Sequence, residues 1–170
     1  GTRTGSETTA AAAGQVGVIR RDPMAMLPFC GYNMGDYFGH WLDVGKKLKH
    51  PPKIFNVNWF RTDEAGKFMW PGYGDNIRVI KWIIDRVQGK VSAKETALGL
   101  LPDVKDLDLS GLNLSKETVE KLFAVDPSEW TSELQAIEKY LTQFGSHTPE
   151  AIWTEYRSLA EKLGQTVSKK

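Results

Sequence analysis

The chain has 170 residues, 41% of them hydrophobic and 25% charged, which is enough for a folded domain with a hydrophobic core. Its formal net charge of +1 excludes a strongly basic surface, so neither nucleic acid nor membrane is expected as a partner. The single cysteine, Cys30, cannot form an internal disulfide, and no apolar run approaches membrane-spanning length. These features are typical of a cytoplasmic protein.

The first region, residues 1–22, is rich in Gly, Thr and Ala and has almost no large apolar residue before Val16. Such a segment buries little surface, and we expect it to be mobile. Val16 to Arg20 is predicted to form a short strand that links it to the rest of the chain.

The second region, residues 23–90, begins with a predicted helix. Asn33 is suited to cap it, and apolar residues then recur at helical spacing, namely Tyr37, Phe38, Trp41, Leu42, Val44 and Leu48. A strand is predicted over Ile54 to Phe60, followed by a turn at Thr62 to Gly66 and a second strand over Lys67 to Trp70.

A further helix is predicted to open near Asp75 and to end at Gly89. Its apolar stripe consists of Ile80, Ile83, Ile84 and Val87.

The third region, residues 91–170, is predicted to be mainly helical. Residues 91–114 are irregular, and Val119, Leu122 and Phe123 mark a short helix. Asp126 and Thr148 are suited to start two more helices, each closed by a glycine, Gly145 and Gly164. We therefore predict a helix-rich mixture of α and β structure (α/β), in which a strand hairpin carries an aromatic pocket and a C-terminal helical bundle follows. All three regions are expected to form one domain.

The stretch from Phe60 to Asn76 combines the residue types that a planar base requires. Phe60, Phe68 and Tyr73 supply aromatic faces, which hold a heterocycle by stacking. Gly72 and Gly74 let the backbone approach a ligand. Asn76 offers both a donor and an acceptor, so it can read the edge of a base. Together these residues predict a purine slot.

Three separated motifs in this chain resemble GTP-dependent phosphoenolpyruvate carboxykinase. The guanine-binding segment of that family is similar to Asn58 to Phe60 and to the run Lys67-Phe68-Met69-Trp70-Pro71-Gly72-Tyr73-Gly74-Asp75-Asn76. Its mobile lid is similar to the run Gly5-Ser6-Glu7-Thr8-Thr9-Ala10-Ala11-Ala12, and a third segment is similar to residues 22–33. The resemblance covers most of residues 1–90 and weakens over residues 91–170.

The resemblance implies roles for individual residues. Phe60 and Tyr73 would flank the guanine, Phe68 would complete the pocket, and Asn76 would contact the base. Gly74 and Asp75 are assigned to the same nucleotide-binding segment. Family members carry Phe at the position of Tyr73, a change that keeps the stacking face and adds a hydroxyl. Thr8, Thr9, Ala10, Ala11 and Ala12 would form the lid.

The resemblance also implies an activity for a longer enzyme, of which this chain would be the C-terminal portion. That enzyme converts oxaloacetate and GTP into phosphoenolpyruvate, GDP and carbon dioxide with the help of Mn²⁺ or Mg²⁺. No Gly-x-x-x-x-Gly-Lys-Thr/Ser motif is present, and the three histidines lie far apart in sequence. We therefore expect the metal ligands and catalytic residues to lie outside this chain, and the fragment alone to be inactive.

The expected partners are a guanine nucleotide, a small-molecule substrate and the remainder of the same enzyme. The sequence is also compatible with two other hypotheses. One is a stand-alone purine-nucleotide-binding module, and the other is a helical interaction domain built on residues 115–164.

Overall fold

The computed structural model describes residues 3–5, 19–21 and 26–167. Within these residues the fold is helix-rich, as predicted, with five α-helices and two short antiparallel strand pairs. Strand β1 (Arg3–Gly5) pairs with β2 (Ile19–Arg21), with Arg3 opposite Arg21. None of the helices described is long and apolar enough to cross a membrane.

The chain divides into two compact units. The first combines residues 1–51 with residues 127–170, and the second comprises residues 52–126. The first unit contains α1 (Met34–Lys47), α4 (Trp130–Thr142) and α5 (Glu150–Lys162). The second contains α2 (Asn76–Val87), the pair β3 (Lys94–Thr96) and β4 (Gly99–Leu101), and α3 (Lys116–Phe123).

The first unit is held by apolar packing and by contacts at the start of α1. Its core consists of Met34, Phe38, Leu134, Leu141, Phe144, Tyr156, Ala160 and Leu163. Asn33 caps α1 as predicted, because its Oδ1 accepts the backbone N–H of Gly35 at 2.8 Å. Its Nδ2 also donates to the carbonyl of Phe144 at 3.3 Å, so one side chain both starts the helix and ties it to the end of α4.

The second unit has a core rich in tryptophan. Its buried residues are Met69, Trp70, Trp82, Leu107 and Val119. Phe55 meets Trp82 edge to face at 6.3 Å between ring centroids, and Trp59 meets Trp70 at 6.1 Å. These two ring pairs anchor the extended segment before the predicted purine slot.

The strand predicted over Ile54 to Phe60 does not form. The only ladder contact near it among the described residues is an isolated bridge between Thr62 and Phe68. Phe55 and Trp59 are half-buried while Ile54 and Phe60 stay exposed, which is the alternation of an extended segment, but no strand among the described residues pairs with it. High β-propensity does not make a strand without a paired neighbour.

Other differences concern residues 91–142. The hairpin of β3 and β4 was not predicted; Ala97 and Leu98 form its turn, and Gly99, which opens β4, has a φ of +119° that favours glycine. The helix predicted from Asp126 begins with a 3₁₀ turn at Pro127–Glu129, and the α-helix starts at Trp130.

The predicted helix ends are confirmed. Gly89, Gly145 and Gly164 follow their helices and all have positive φ, as these helix ends require.

Candidate functional site

The predicted slot is built on a tight turn between Phe60 and Phe68. Oδ1 of Asp63 accepts backbone N–H groups from Ala65 at 3.0 Å and Lys67 at 2.9 Å. The backbone N–H of Asp63 donates to the carbonyl of Lys67 at 2.9 Å. Side-chain bonds of this kind stabilise turns that begin with Asp, so one carboxylate fixes the loop on which the rings are mounted.

Phe60 and Phe68 form an exposed ring pair. Their centroids are 5.9 Å apart with an interplanar angle of 62°, and the side chains are 70% and 59% exposed. An edge-to-face pair is a favourable aromatic geometry, but two exposed phenylalanines leave a large apolar area in water. The pair therefore offers a ready surface for a flat apolar ligand.

Tyr73 stands on a 3₁₀ turn at Tyr73–Asp75 and is 93% exposed. Gly72 precedes it with φ +131° and ψ −169°, a conformation that is accessible to glycine and strained for other residues. Within the part of the chain that the structure describes, the Tyr73 ring contacts no other ring. A Cβ built on Gly74 would meet no atom within 4 Å, so the space beside the turn is open.

Asn76 is the first residue of α2, and its carboxamide is held in place. The indole Nε1–H of Trp70 donates to Oδ1 of Asn76 at 2.8 Å. With the oxygen bound to the indole, the Nδ2 amino group is the end of the carboxamide directed away from Trp70. This arrangement presents a hydrogen-bond donor.

Asp75 is engaged by a neighbouring cation. Nε of Arg78 donates to its Oδ1 at 3.1 Å, and Nη1 of Arg78 donates to the carbonyl of Asp108 at 2.7 Å. Hydrogen bonds from Ser110 are the main cause of a lowered pKa at Asp108, with a smaller contribution from Arg78. Arg78 thus fixes the turn of Tyr73 to the loop of Asp108.

A second arginine holds the other end of the site. Nη1 of Arg61 donates to the carbonyl of Ala124 at 2.9 Å and to that of Leu122 at 3.5 Å. Both carbonyls lie at the C-terminal end of α3, where backbone acceptors lack helical partners and a positive charge is favourable. This contact anchors the residue that directly follows Phe60.

The structure brings together some of the predicted site residues. Phe60 meets Phe68, and Asn76 is fixed next to the turn that carries Tyr73, Gly74 and Asp75. The predicted lid residues, Thr8, Thr9, Ala10, Ala11 and Ala12, lie outside the described residues. Over the described ranges, no three His, Cys, Asp or Glu side chains are grouped to hold a metal ion.

Trp70 is a site residue that the sequence reasoning missed. It is 9% exposed, and a buried indole N–H usually has a hydrogen-bond partner. A tryptophan six residues before a carboxamide at a helix start was the available signal. Finding it from sequence would have required knowing that the turn of Gly72 folds the chain back between the two.

Comparison with known proteins places this chain in a family. Residues 1–162 match the family model of the phosphoenolpyruvate carboxykinase C-terminal P-loop domain. A phosphoenolpyruvate carboxykinase [GTP] of Anaeromyxobacter dehalogenans (strain 2CP-1) is 50% identical over 163 residues. Those of Paenarthrobacter aurescens (strain TC1) and Arthrobacter sp. (strain FB24) are 51% and 52% identical over 166 and 165 residues.

Each of these alignments covers 96% of this chain but only 27% of the relative. The chain therefore spans about a quarter of the length of the curated relatives that it matches. The family model covers nearly the whole chain, including every residue of the candidate site. The chain belongs to the GTP-dependent phosphoenolpyruvate carboxykinase family and corresponds to a C-terminal segment of it.

Proposed function

We propose that this chain supplies the guanine-nucleotide pocket of an enzyme that converts oxaloacetate and GTP into phosphoenolpyruvate, GDP and carbon dioxide. The observation that carries the proposal is the carboxamide of Asn76, which Trp70 holds by a hydrogen bond in a segment whose Phe60, Phe68 and Tyr73 rings are exposed. An oriented donor next to stacking surfaces is the combination that recognition of a base requires.

Stacking supplies the affinity in this proposal. Phe60 and Tyr73 flank the base, and Phe68 supports Phe60 through their edge-to-face contact. Stacking of a base on an aromatic side chain is worth about 1–3 kcal/mol by alanine substitution. Because every purine has the same kind of π-face, this interaction does not choose between guanine and adenine.

Asn76 determines the selectivity for guanine over adenine. Its Oδ1 accepts from Trp70, so the group available to a ligand is the Nδ2 donor. Guanine and hypoxanthine carry a carbonyl acceptor at position 6, whereas adenine carries an amino donor there. Donor facing donor leaves both groups unpaired, and a buried unpaired group costs about 1–3 kcal/mol. The pocket is therefore expected to prefer GTP and ITP over ATP.

The chemical step is assigned to the rest of the enzyme. Loss of carbon dioxide from oxaloacetate leaves an enolate, whose oxygen attacks the γ-phosphorus of GTP while the bond to GDP breaks. The pocket of this chain orients the nucleotide for that transfer, a positioning role that lowers the entropic barrier. Mn²⁺ or Mg²⁺, held by residues outside this chain, would supply electrostatic stabilisation of the phosphates.

We also propose that Thr8, Thr9, Ala10, Ala11 and Ala12 form a lid that keeps water away from the enolate. The small side chains of this run lose little rotamer entropy on ordering, so closure demands little beyond fixing the backbone. Ala11→Gly should raise the entropic cost of closure by about 0.5–1 kcal/mol. Turnover should fall and more enolate should be protonated to pyruvate, with GTP affinity nearly unchanged. A sharp loss of GTP affinity with normal turnover and leakage would assign the run to nucleotide contact.

The base proposal is tested by steady-state kinetics of the full-length enzyme with GTP, ITP and ATP. The parent enzyme should show higher kcat/KM for GTP and ITP than for ATP. Asn76→Asp replaces the donor by an acceptor, and the preference for GTP should fall at least tenfold. Asn58→Asp is a matched control, because Oδ1 of Asn58 accepts the backbone N–H of Phe60 at 3.0 Å, a bond that aspartate retains. Equal kcat/KM for GTP and ATP in the parent enzyme would contradict the proposal.

A further inference from the structure

Helix α2 carries an apolar stripe that faces solvent. The stripe consists of Ile77, Ile80, Ile84 and Val87, which are 63%, 43%, 48% and 57% exposed. Their spacing of three, four and three residues places them within an arc of about 80° on the helix. We call these four residues the α2 stripe.

The opposite side of the helix is already packed. Trp82 is 4% exposed and contacts the ring of Phe55, so α2 buries a different face in its own unit. A polar strip lies along one border of the stripe, where Nζ of Lys81 meets Oδ2 of Asp85 at 2.6 Å. The helix therefore has one buried face, one polar strip and one apolar face that contacts water.

An exposed row of four aliphatic residues is unusual for a helix surface. Single apolar residues on a surface need no explanation, but a contiguous row with a polar border is typical of an interaction site. The stripe contains no cationic residue, which removes the electrostatic attraction that an anionic partner such as a lipid surface or nucleic acid would use. Its composition matches a hydrophobic protein surface.

We propose that the α2 stripe docks on an apolar surface of the remaining polypeptide of the same enzyme. The curated relatives are nearly four times as long as the aligned segment, which covers 27% of each, so most of the family's chain is available as the partner. Docking of the α2 stripe does not depend on which base the nucleotide pocket binds.

Docking of the stripe has a consequence for the pocket. Ile77 follows Asn76 directly in the first turn of α2. A partner that covers Ile77 restrains this turn, and with it the carboxamide that Trp70 orients. The remaining polypeptide would thus help to hold the residue proposed to choose the base.

The test uses native-state alkylation of the full-length enzyme carrying Ile84→Cys or Val87→Cys. Lys81→Cys is the matched control, because the Lys81 side chain is 67% exposed and lies on the polar strip of the same helix. Mass spectrometry of the α2 peptide measures the alkylation of the introduced cysteine separately from that of other cysteines. Each rate is divided by the rate of the same variant unfolded in urea, which removes differences in intrinsic thiol reactivity.

Both stripe cysteines should react at least tenfold more slowly than the Lys81→Cys thiol at every protein concentration. Loss of folded enzyme in both stripe variants, with a normal Lys81→Cys enzyme, would also support a covered stripe. Equal labelling rates would overturn the proposal. Protection that disappears on dilution, together with a fall in particle mass, would also overturn it and identify a second copy as the partner.

Discussion

The indole N–H of Trp70 donates to Oδ1 of Asn76 over 2.8 Å and so decides which end of that carboxamide faces the proposed ligand. Trp70 is buried, while Asn76 is the first residue of α2, so the bond connects the core of this unit to the start of that helix. A single hydrogen bond of this kind contributes about 0.5–1.5 kcal/mol net.

Trp70→Phe should weaken the selectivity for GTP over ATP in the full-length enzyme. Without the indole donor the carboxamide is free to turn its oxygen outward. The lost orientation should lower the selectivity for GTP over ATP by about threefold to tenfold. This selectivity is measured as the ratio of the kcat/KM values for the two nucleotides. Trp59→Phe is the control, since Trp59 packs against Trp70 but does not bond Asn76. Equal effects of the two variants would show that packing, and not the bond, controls selectivity.

Tyr73→Ala should weaken nucleotide binding by about 1–3 kcal/mol, because it removes a stacking face. Tyr73→Phe keeps the ring and should leave the affinity nearly unchanged. Neither variant should alter the urea midpoint of the enzyme by much, since the Tyr73 side chain is almost fully exposed. Titration with GTP measures the affinity. An equal loss in both variants would assign binding to the hydroxyl.

Gly35→Ala should destabilise the protein by about 1–3 kcal/mol through overpacking. A Cβ at Gly35 would lie 2.6 Å from the carbonyl carbon and oxygen of His147, where backbone cannot yield easily. Gly45→Ala in the same helix is the control, because its Cβ would meet no atom within 4 Å. Alanine at that position should stabilise by about 0.5–1 kcal/mol. Urea unfolding measures both effects, and a neutral Gly35→Ala would contradict the tight approach.

Tyr156 should make the stability depend on pH under alkaline conditions. Burial, with a smaller effect of the nearby Glu138 carboxylate, raises the pKa of Tyr156 to about 12. An unfolded tyrosine loses its proton near pH 10, so between pH 10 and 12 the unfolded state is favoured increasingly. The resulting loss of stability is at most about 1.4 kcal/mol per pH unit. It is absent below pH 10, where both states keep the proton.

Tyr156→Phe cannot ionise, and its unfolding free energy should fall less steeply over this range than that of the parent. Urea unfolding at pH 8, 10 and 11.5 provides the comparison, and the values at pH 8 remove the direct effect of losing the hydroxyl. Parallel pH profiles for the two proteins would show that the phenol is not held in its neutral form by the fold.

Local sequence signals determined the helices and their ends. Asn33 caps α1 through a bond to a residue two positions away, and Gly89, Gly145 and Gly164 end helices through their own backbone freedom. Such interactions lie within one turn of the chain, so they can be read without knowing the fold. The aromatic cluster of Phe60 and Phe68 was predictable for the same reason, because a turn of a few residues joins them.

The tertiary structure decided what the sequence pattern left open. The β-prone segment from Ile54 to Phe60 does not form a strand because no strand among the described residues lies beside it, and strand formation depends on such a partner. The apolar positions of α2 predicted a helix, but only the packed structure shows that Trp82 is buried and the stripe is exposed. The donor orientation of Asn76 also depends on a fold-dependent contact, since the turn at Gly72 brings the Trp70 indole to it.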